Sequence, residues 1–248
     1  MILDFPYHFG RYLMMMKQGI ARPENARMYI KETVRQMYDI GVGSLTIVVL
    51  IAVFMGAVAA LQFAYQLGGQ TIPMYYIGYI VRDFAIIEAA PTITCLVLAG
   101  KVGSNIAAEL GGMRQKEHLD AMEIMGVNTA SYMIMPRVVA AILVIPALVV
   151  VAAAIAIVGG YVAVVPTGYL MHEEYIRGIR VFFEQYNVFI MFVKAVVFAF
   201  ILTTIPAYQG YYVKGGSIEL GKASTNAVVL SDILILLADY LVAVLLTN

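Results

Sequence analysis

Three side chains of this 248-residue chain lie where ionisable groups are rarely tolerated: Glu88, Lys194 and Asp239 each interrupt a long apolar run. A charged group at the centre of a bilayer costs at least about 2.5–3.5 kcal/mol, so each needs a partner or a task. Glu88 stands 13 residues before Lys101, Lys194 stands 13 residues before Ala207, and Asp239 stands 13 residues after Asn226. Lys101, Ala207 and Asn226 mark the inner ends of their runs. At the helical rise of about 1.5 Å per residue, all three groups sit roughly 20 Å from the inner edge of a roughly 30 Å hydrocarbon core. Two carboxylates and one ammonium at a single depth offset one another by pairing. They serve either as an ion pair locking helices together or as a polar patch in a substrate cavity, and the two roles are compatible.

Other chemistry-bearing residues point less far. Arg82 and Asp83, near the outer end of the same run as Glu88, read as interface anchors whose charged tips snorkel to the headgroups. The segment Gly216-Ser217-Ile218-Glu219-Leu220-Gly221-Lys222 imitates a phosphate-binding loop, but the next residue is Ala223 where Mg²⁺ binding requires Ser or Thr. It also follows an apolar run instead of a strand, so nucleotide binding there is rejected. His8, His118 and His172 are scattered, and Glu173 and Glu174 after His172 form no ligand pattern of known spacing. The lone Cys95 excludes an intrachain disulfide and a cysteine-based metal site. No catalytic centre, metal or cofactor is expected.

The elements that must position the three charges follow from composition. Hydrophobic residues make up 62% of the chain and charged residues 13%, about half the charge of an ordinary soluble domain. Five apolar runs are long enough to cross a bilayer, at about residues 45–61, 76–100, 138–165, 188–207 and 227–246. The second contains Arg82, Asp83 and Glu88 and is broken at Pro91; Pro146 lies in the third and Pro206 ends the fourth. Twelve Lys and Arg fall on one side: six before the first run (Arg11, Lys17, Arg22, Arg27, Lys31, Arg35), four between the second and third (Lys101, Arg114, Lys116, Arg137), and Lys214 and Lys222 between the fourth and fifth. The other side has Arg177 and Arg180 alone. The positive-inside rule then places the N-terminus in the cytoplasm and, after five spans, Asn248 outside.

Residues 1–43 are polar, basic and helix-compatible, divided by Pro23, with Met28, Val34, Met37 and Tyr38 among the charges. They read as a cytoplasmic or interfacial amphipathic region, leaving 44–248 as the transmembrane domain. No cleavable signal peptide is expected, and the first span acts as the insertion signal. The fold class is therefore all-α and polytopic: an N-terminal interfacial helix and five transmembrane helices. The longest inner loop, about residues 101–137, carries a helical pattern in which Leu119, Met122 and Met125 share one face and Glu117, Asp120 and Glu123 another. An acidic outward face at the membrane surface suits a cytoplasmic partner.

Beyond composition, Glu88-Ala89-Ala90-Pro91 and the run from Leu98 to Gly111 (LAGKVGSNIAAELG) resemble the MlaE family, the YrbE-type permeases of ABC transporters that work with MCE proteins. Glu117-His118-Leu119-Asp120-Ala121-Met122-Glu123-Ile124-Met125-Gly126-Val127 is similar to the family signature E-Q-x-D-A-L-x-x-M-G-V, followed by Met135-Pro136-Arg137. The segments starting at Lys194 and at Lys222 resemble the family's later motifs, so the likeness covers about residues 34–248. It implies a homodimer in the inner membrane that moves phospholipids or related lipids to or from a periplasmic MCE-domain protein. It also implies a separate cytoplasmic ATPase docked on a coupling helix, here Glu117, His118, Leu119, Asp120 and Met122, and a lipid cavity whose polar residues correspond to Glu88, Lys194 and Asp239. Two positions depart from the family: Ile87 stands where Arg is frequent before the cavity carboxylate, and His118 replaces the usual Gln. The first puts headgroup handling there in doubt, and the second gives docking a mild pH sensitivity.

Two other functions compete. An ion- or proton-coupled secondary transporter would use the three charges as a relay, but such folds are built from paired repeats and five spans do not halve. A non-transporting scaffold explains the acidic loop but not three charges at one depth.

Overall fold

The computed structural model describes residues 5–20, 26–67 and 73–247. Every regular element among them is a helix. In chain order they are α1 (Phe5–Gly19), α2 (Ala26–Leu67), α3 (Tyr76–Gln115), α4 (His118–Ile124), α5 (Ala130–Val164), α6 (His172–Arg180), α7 (Gln185–Tyr211) and α8 (Ser217–Thr247). The five long helices α2, α3, α5, α7 and α8 are apolar and long enough to cross a membrane. The chain is an all-α, multi-pass membrane protein.

The helices extend well beyond the apolar runs. α2 is continuous through residues 43 and 44, and α3 continues through Lys101 to Gln115. Hydrophobicity marks only what the bilayer touches; a helix continues while its backbone bonds and side-chain packing hold. Pro23 lies outside the described residues. Pro91 bends the pattern of α3 without ending it: the helix widens into π-type turns over Ala85–Ile93 and again over Ala99–Gly103. Such turns re-route the backbone bonds around a residue that has no N–H.

The chain forms two compact units. The first comprises Met1–Val42, Leu98–Val144 and Ala199–Ile235, and the second Gly43–Val97, Ile145–Phe198 and Leu236–Asn248. In the first unit α1 is moored to α7. Tyr12 donates to Thr204 Oγ1 at 2.9 Å, His8 Nδ1 lies 2.7 Å from the Tyr208 hydroxyl, and Met15 is buried. Arg137, also buried, pairs with Glu109 at 2.8 Å and donates to the Met133 carbonyl. This ties α5 to α3.

In the second unit α2 and α5 approach backbone to backbone. A Cβ on Gly56 would strike the Ala156 carbonyl, and one on Gly159 would strike the backbone of Val53. Small residues permit this approach, and dispersion between close backbones holds helices together where lipid removes the hydrophobic drive. Ala60, Ala64, Ile77, Val81, Val164, Leu170 and Tyr175 form the adjoining core. Burial pushes the Tyr175 phenol above its ordinary pKa, and its hydroxyl donates to the Ile157 carbonyl at 2.8 Å.

Arg82 departs from the expected snorkelling anchor. It is 1% exposed. Its guanidinium donates to the carbonyls of Ile179 (2.7 Å), Val181 (2.8 Å) and Phe182 (3.0 Å) and pairs with Asp83. These carbonyls lie where α6 ends and the chain turns through Phe182 at φ 52°. Carbonyls at a helix end lack intrahelical donors, and the planar fork of Arg supplies several from one side chain.

Candidate functional site

The three intramembrane charges meet. Lys194 on α7 is completely buried, and its Nζ stands 2.9 Å from Glu88 Oε1 on α3 and 2.7 Å from Asp239 Oδ1 on α8. The equal spacing of 13 residues thus brings one residue from each of three helices to a common point within the second unit. A third oxygen completes the ammonium's surroundings: Nζ donates to the Ile87 carbonyl at 3.1 Å. Ile87 is four residues before Pro91, whose nitrogen has no hydrogen to offer that carbonyl. The ammonium has three N–H bonds and three oxygens within reach.

The cluster is asymmetric. Lys194 is sealed, the Asp239 side chain is 17% exposed, and the Glu88 side chain is 43% exposed. The more exposed carboxylate of the cluster, Glu88, therefore faces outward from an apolar helix surface. Thr92 Oγ1 approaches Glu88 Oε2 at 3.4 Å, one turn further along α3. Such a surface presents a carboxylate acceptor backed by a fixed cation.

The second candidate region lies in the first unit. Glu117 turns the chain between α3 and α4 in the left-handed conformation, φ 57°. A non-glycine residue adopts that region only at a cost. Leu119 is buried, whereas Glu117 and His118 are exposed and Met122 is half-buried. Two of the three acids on the predicted outward face have partners within the chain. Asp120 pairs with Arg114 at 2.8 Å. Glu123 accepts from the hydroxyls of Tyr211 (2.9 Å) and Thr129 (3.1 Å), which lie 2.6 Å from each other. The tip of the turn is apolar, with Ile124 87% and Met125 70% exposed. Among the described residues, no group of three or more His, Cys, Asp or Glu side chains is placed to hold a metal ion.

Comparison with known proteins gives this arrangement a family. The model of the family described as Permease MlaE matches residues 33–245. The chain belongs to the MlaE permease family. A probable ABC transporter permease protein of Rickettsia bellii is 36% identical over 238 residues, covering 94% of this chain and 89% of the relative. A probable ABC transporter permease protein of Synechocystis is 30% identical over 219 residues, 86% of this chain and 81% of the relative. The intermembrane phospholipid transport system permease protein MlaE of Haemophilus influenzae is 28% identical over 246 residues, 99% of this chain and 94% of the relative. This MlaE-family chain is thus an ABC transporter permease.

Sequence reasoning missed two parts of these sites. The Ile87 carbonyl was legible in principle, because a proline four residues downstream always withdraws a donor. Tyr211, which ties Glu123 of α4 to the end of α7, left no local signal, since the two residues are 88 positions apart.

Proposed function

We propose that this permease moves phospholipids or related lipids between the inner membrane and a periplasmic MCE-domain protein, as a homodimer driven by a separate cytoplasmic ATPase. The carrying observation is the triad in which a sealed Lys194 backs an outward-facing Glu88. A lipid cavity needs polar groups for the headgroup beside apolar walls for the acyl chains, and Phe192, Val196, Leu236, Leu237 and Tyr240 line exposed apolar surface on the helices that carry Lys194 and Asp239. The Haemophilus relative, named for intermembrane phospholipid transport, supports the same substrate class. The positive-inside count supports a cytoplasmic N-terminus and a periplasmic C-terminus. In this reading Glu88, Lys194 and Asp239 contact the lipid, and Glu117, His118, Leu119, Asp120 and Met122 form the ATPase-docking segment.

The test is lipid transfer in proteoliposomes holding the assembled transporter. Glu88→Gln and Asp239→Asn keep oxygen acceptors toward Lys194 while removing charge. Both variants will remain folded and ATPase-associated, with lipid transfer reduced roughly tenfold, the value of about 1.4 kcal/mol of lost interaction. Full transfer by both at wild-type stability excludes the triad from transport. Loss of transfer only in step with a falling melting temperature assigns the triad a purely structural role.

Docking is tested separately. Glu117→Lys reverses an exposed charge, whereas Asp120→Lys also breaks the pair with Arg114. The double reversal will weaken ATPase association in pull-down, and Glu117→Lys alone will account for part of that loss without lowering the melting temperature. Unchanged association and turnover in the double variant removes this segment from coupling.

A further inference from the structure

A second polar feature lies away from both sites. In the first unit, α1, the end of α7 and the start of α8 enclose a cleft of about 220 Å³. Its charged lining is Arg11 from α1, Lys214 from the α7–α8 connection and Lys222 from α8, opposed by the single carboxylate of Glu219, with His8 on the α1 side. Among the described residues neither Lys214 nor Lys222 forms an ion pair. Arg11 lies over the Tyr212 ring at 3.8 Å, which holds its guanidinium at the cleft wall. Tyr208 and Tyr212 pack edge to face at 5.1 Å and are part of the lining. The cleft is therefore a cationic hollow, complementary in charge to a tetrahedral oxyanion.

Lys222 is the lysine of the false phosphate-loop pattern. The segment follows a helix and not a strand, which excludes a phosphate-binding-loop fold, and the cleft is modest in size. It has room for a phosphodiester with its nearest substituents. The exposed face of α1 supplies the source of that phosphodiester. Tyr7, Phe9, Leu13 and Met14 are all exposed large apolar side chains on this one short helix. An amphipathic helix with such a face lies in the headgroup layer of a bilayer, and basic pockets at that level bind anionic lipid heads.

We propose that the cleft between α1, α7 and α8 binds the phosphodiester headgroup of an anionic lipid through Arg11, Lys214 and Lys222. This lipid is a resident of the membrane surface and distinct from the transported molecule, so the site stands on the membrane location of the chain and not on the transport reading. It fastens α1 to the bundle by a contact that depends on lipid charge.

The experiment uses the full-length permease in nanodiscs and in lipid-free detergent. Native mass spectrometry after gentle release will find phosphatidylglycerol retained over phosphatidylcholine by the wild type. Lys214→Gln with Lys222→Gln will lower that preference roughly tenfold, equivalent to about 1.4 kcal/mol. Lys17→Gln with Lys31→Gln removes the same charge outside the cleft and will leave the preference within about twofold. Equal loss in the two double variants overturns the site in favour of diffuse surface attraction. In detergent, phosphatidylglycerol will raise the melting temperature of the wild type and inorganic phosphate will not. Equal stabilisation by inorganic phosphate overturns the lipid assignment. Both lysines are exposed, so the double variant will fold as the wild type does in the absence of lipid, and its melting temperature there checks that it has.

Discussion

Lys194→Met will cost the permease about 3–5 kcal/mol of stability, the range for removing one partner of a buried ion pair. The loss arises less from the bonds removed than from what remains. Asp239 and Glu88 would stand together without the cation that lies 2.7 Å and 2.9 Å from them. Asp239, 17% exposed, and Glu88, 43% exposed, would both be left as carboxylates without a cation among membrane-spanning helices. The Ile87 carbonyl also loses its Nζ donor. The measurement is thermal unfolding in detergent together with the amount of protein in the membrane. Combining Lys194→Met with Glu88→Gln and Asp239→Asn will recover most of the loss, since replacing a whole buried ion cluster by neutral groups is often close to neutral in stability. A single variant that melts with the wild type, or a triple variant no better than the single, contradicts a stability role for the charges.

Arg82→Leu will destabilise the second unit by about 3 kcal/mol or more, because hydrogen bonds to a charged group contribute roughly 1.5–3 kcal/mol each and not all of the loss is additive. Three carbonyls at the end of α6 lose their donor at once, and Asp83 loses its pair. Arg82→Lys will restore only part, since a compact ammonium cannot reproduce the planar fork. Limited proteolysis around Val181–Glu184 will report the loosened turn, and thermal unfolding will report the global loss. Unchanged melting and unchanged cleavage would return Arg82 to the role of a surface anchor.

The composition of residues 1–43 suggests a single interfacial amphipathic helix, whereas the described residues there fall into α1 and the start of α2. The expected border near residue 43 has no counterpart in the backbone, which is helical throughout α2.

Membrane insertion, helical class and the number of spans were determined by the sequence itself. The reason is that a bilayer imposes one demand, about 20 apolar residues with every backbone bond satisfied internally, and that demand is met locally along the chain. The shared depth of Glu88, Lys194 and Asp239 was equally local, because helical rise converts residue number into distance. Only the tertiary structure decided which charges touch and which face outward. Depth leaves rotation about each helix axis free, and packing sets it. Lys194 is turned inward to three oxygens and Glu88 outward. Arg82 has a composition and depth that suit snorkelling, yet it bends inward because the end of α6, nearly 100 residues later, brings three carbonyls that lack donors. Glu123 has the spacing of an outward acidic face, yet it meets Tyr211 because α4 folds against the end of α7. In each case the partner comes from a distant segment, and no window along the chain contains both.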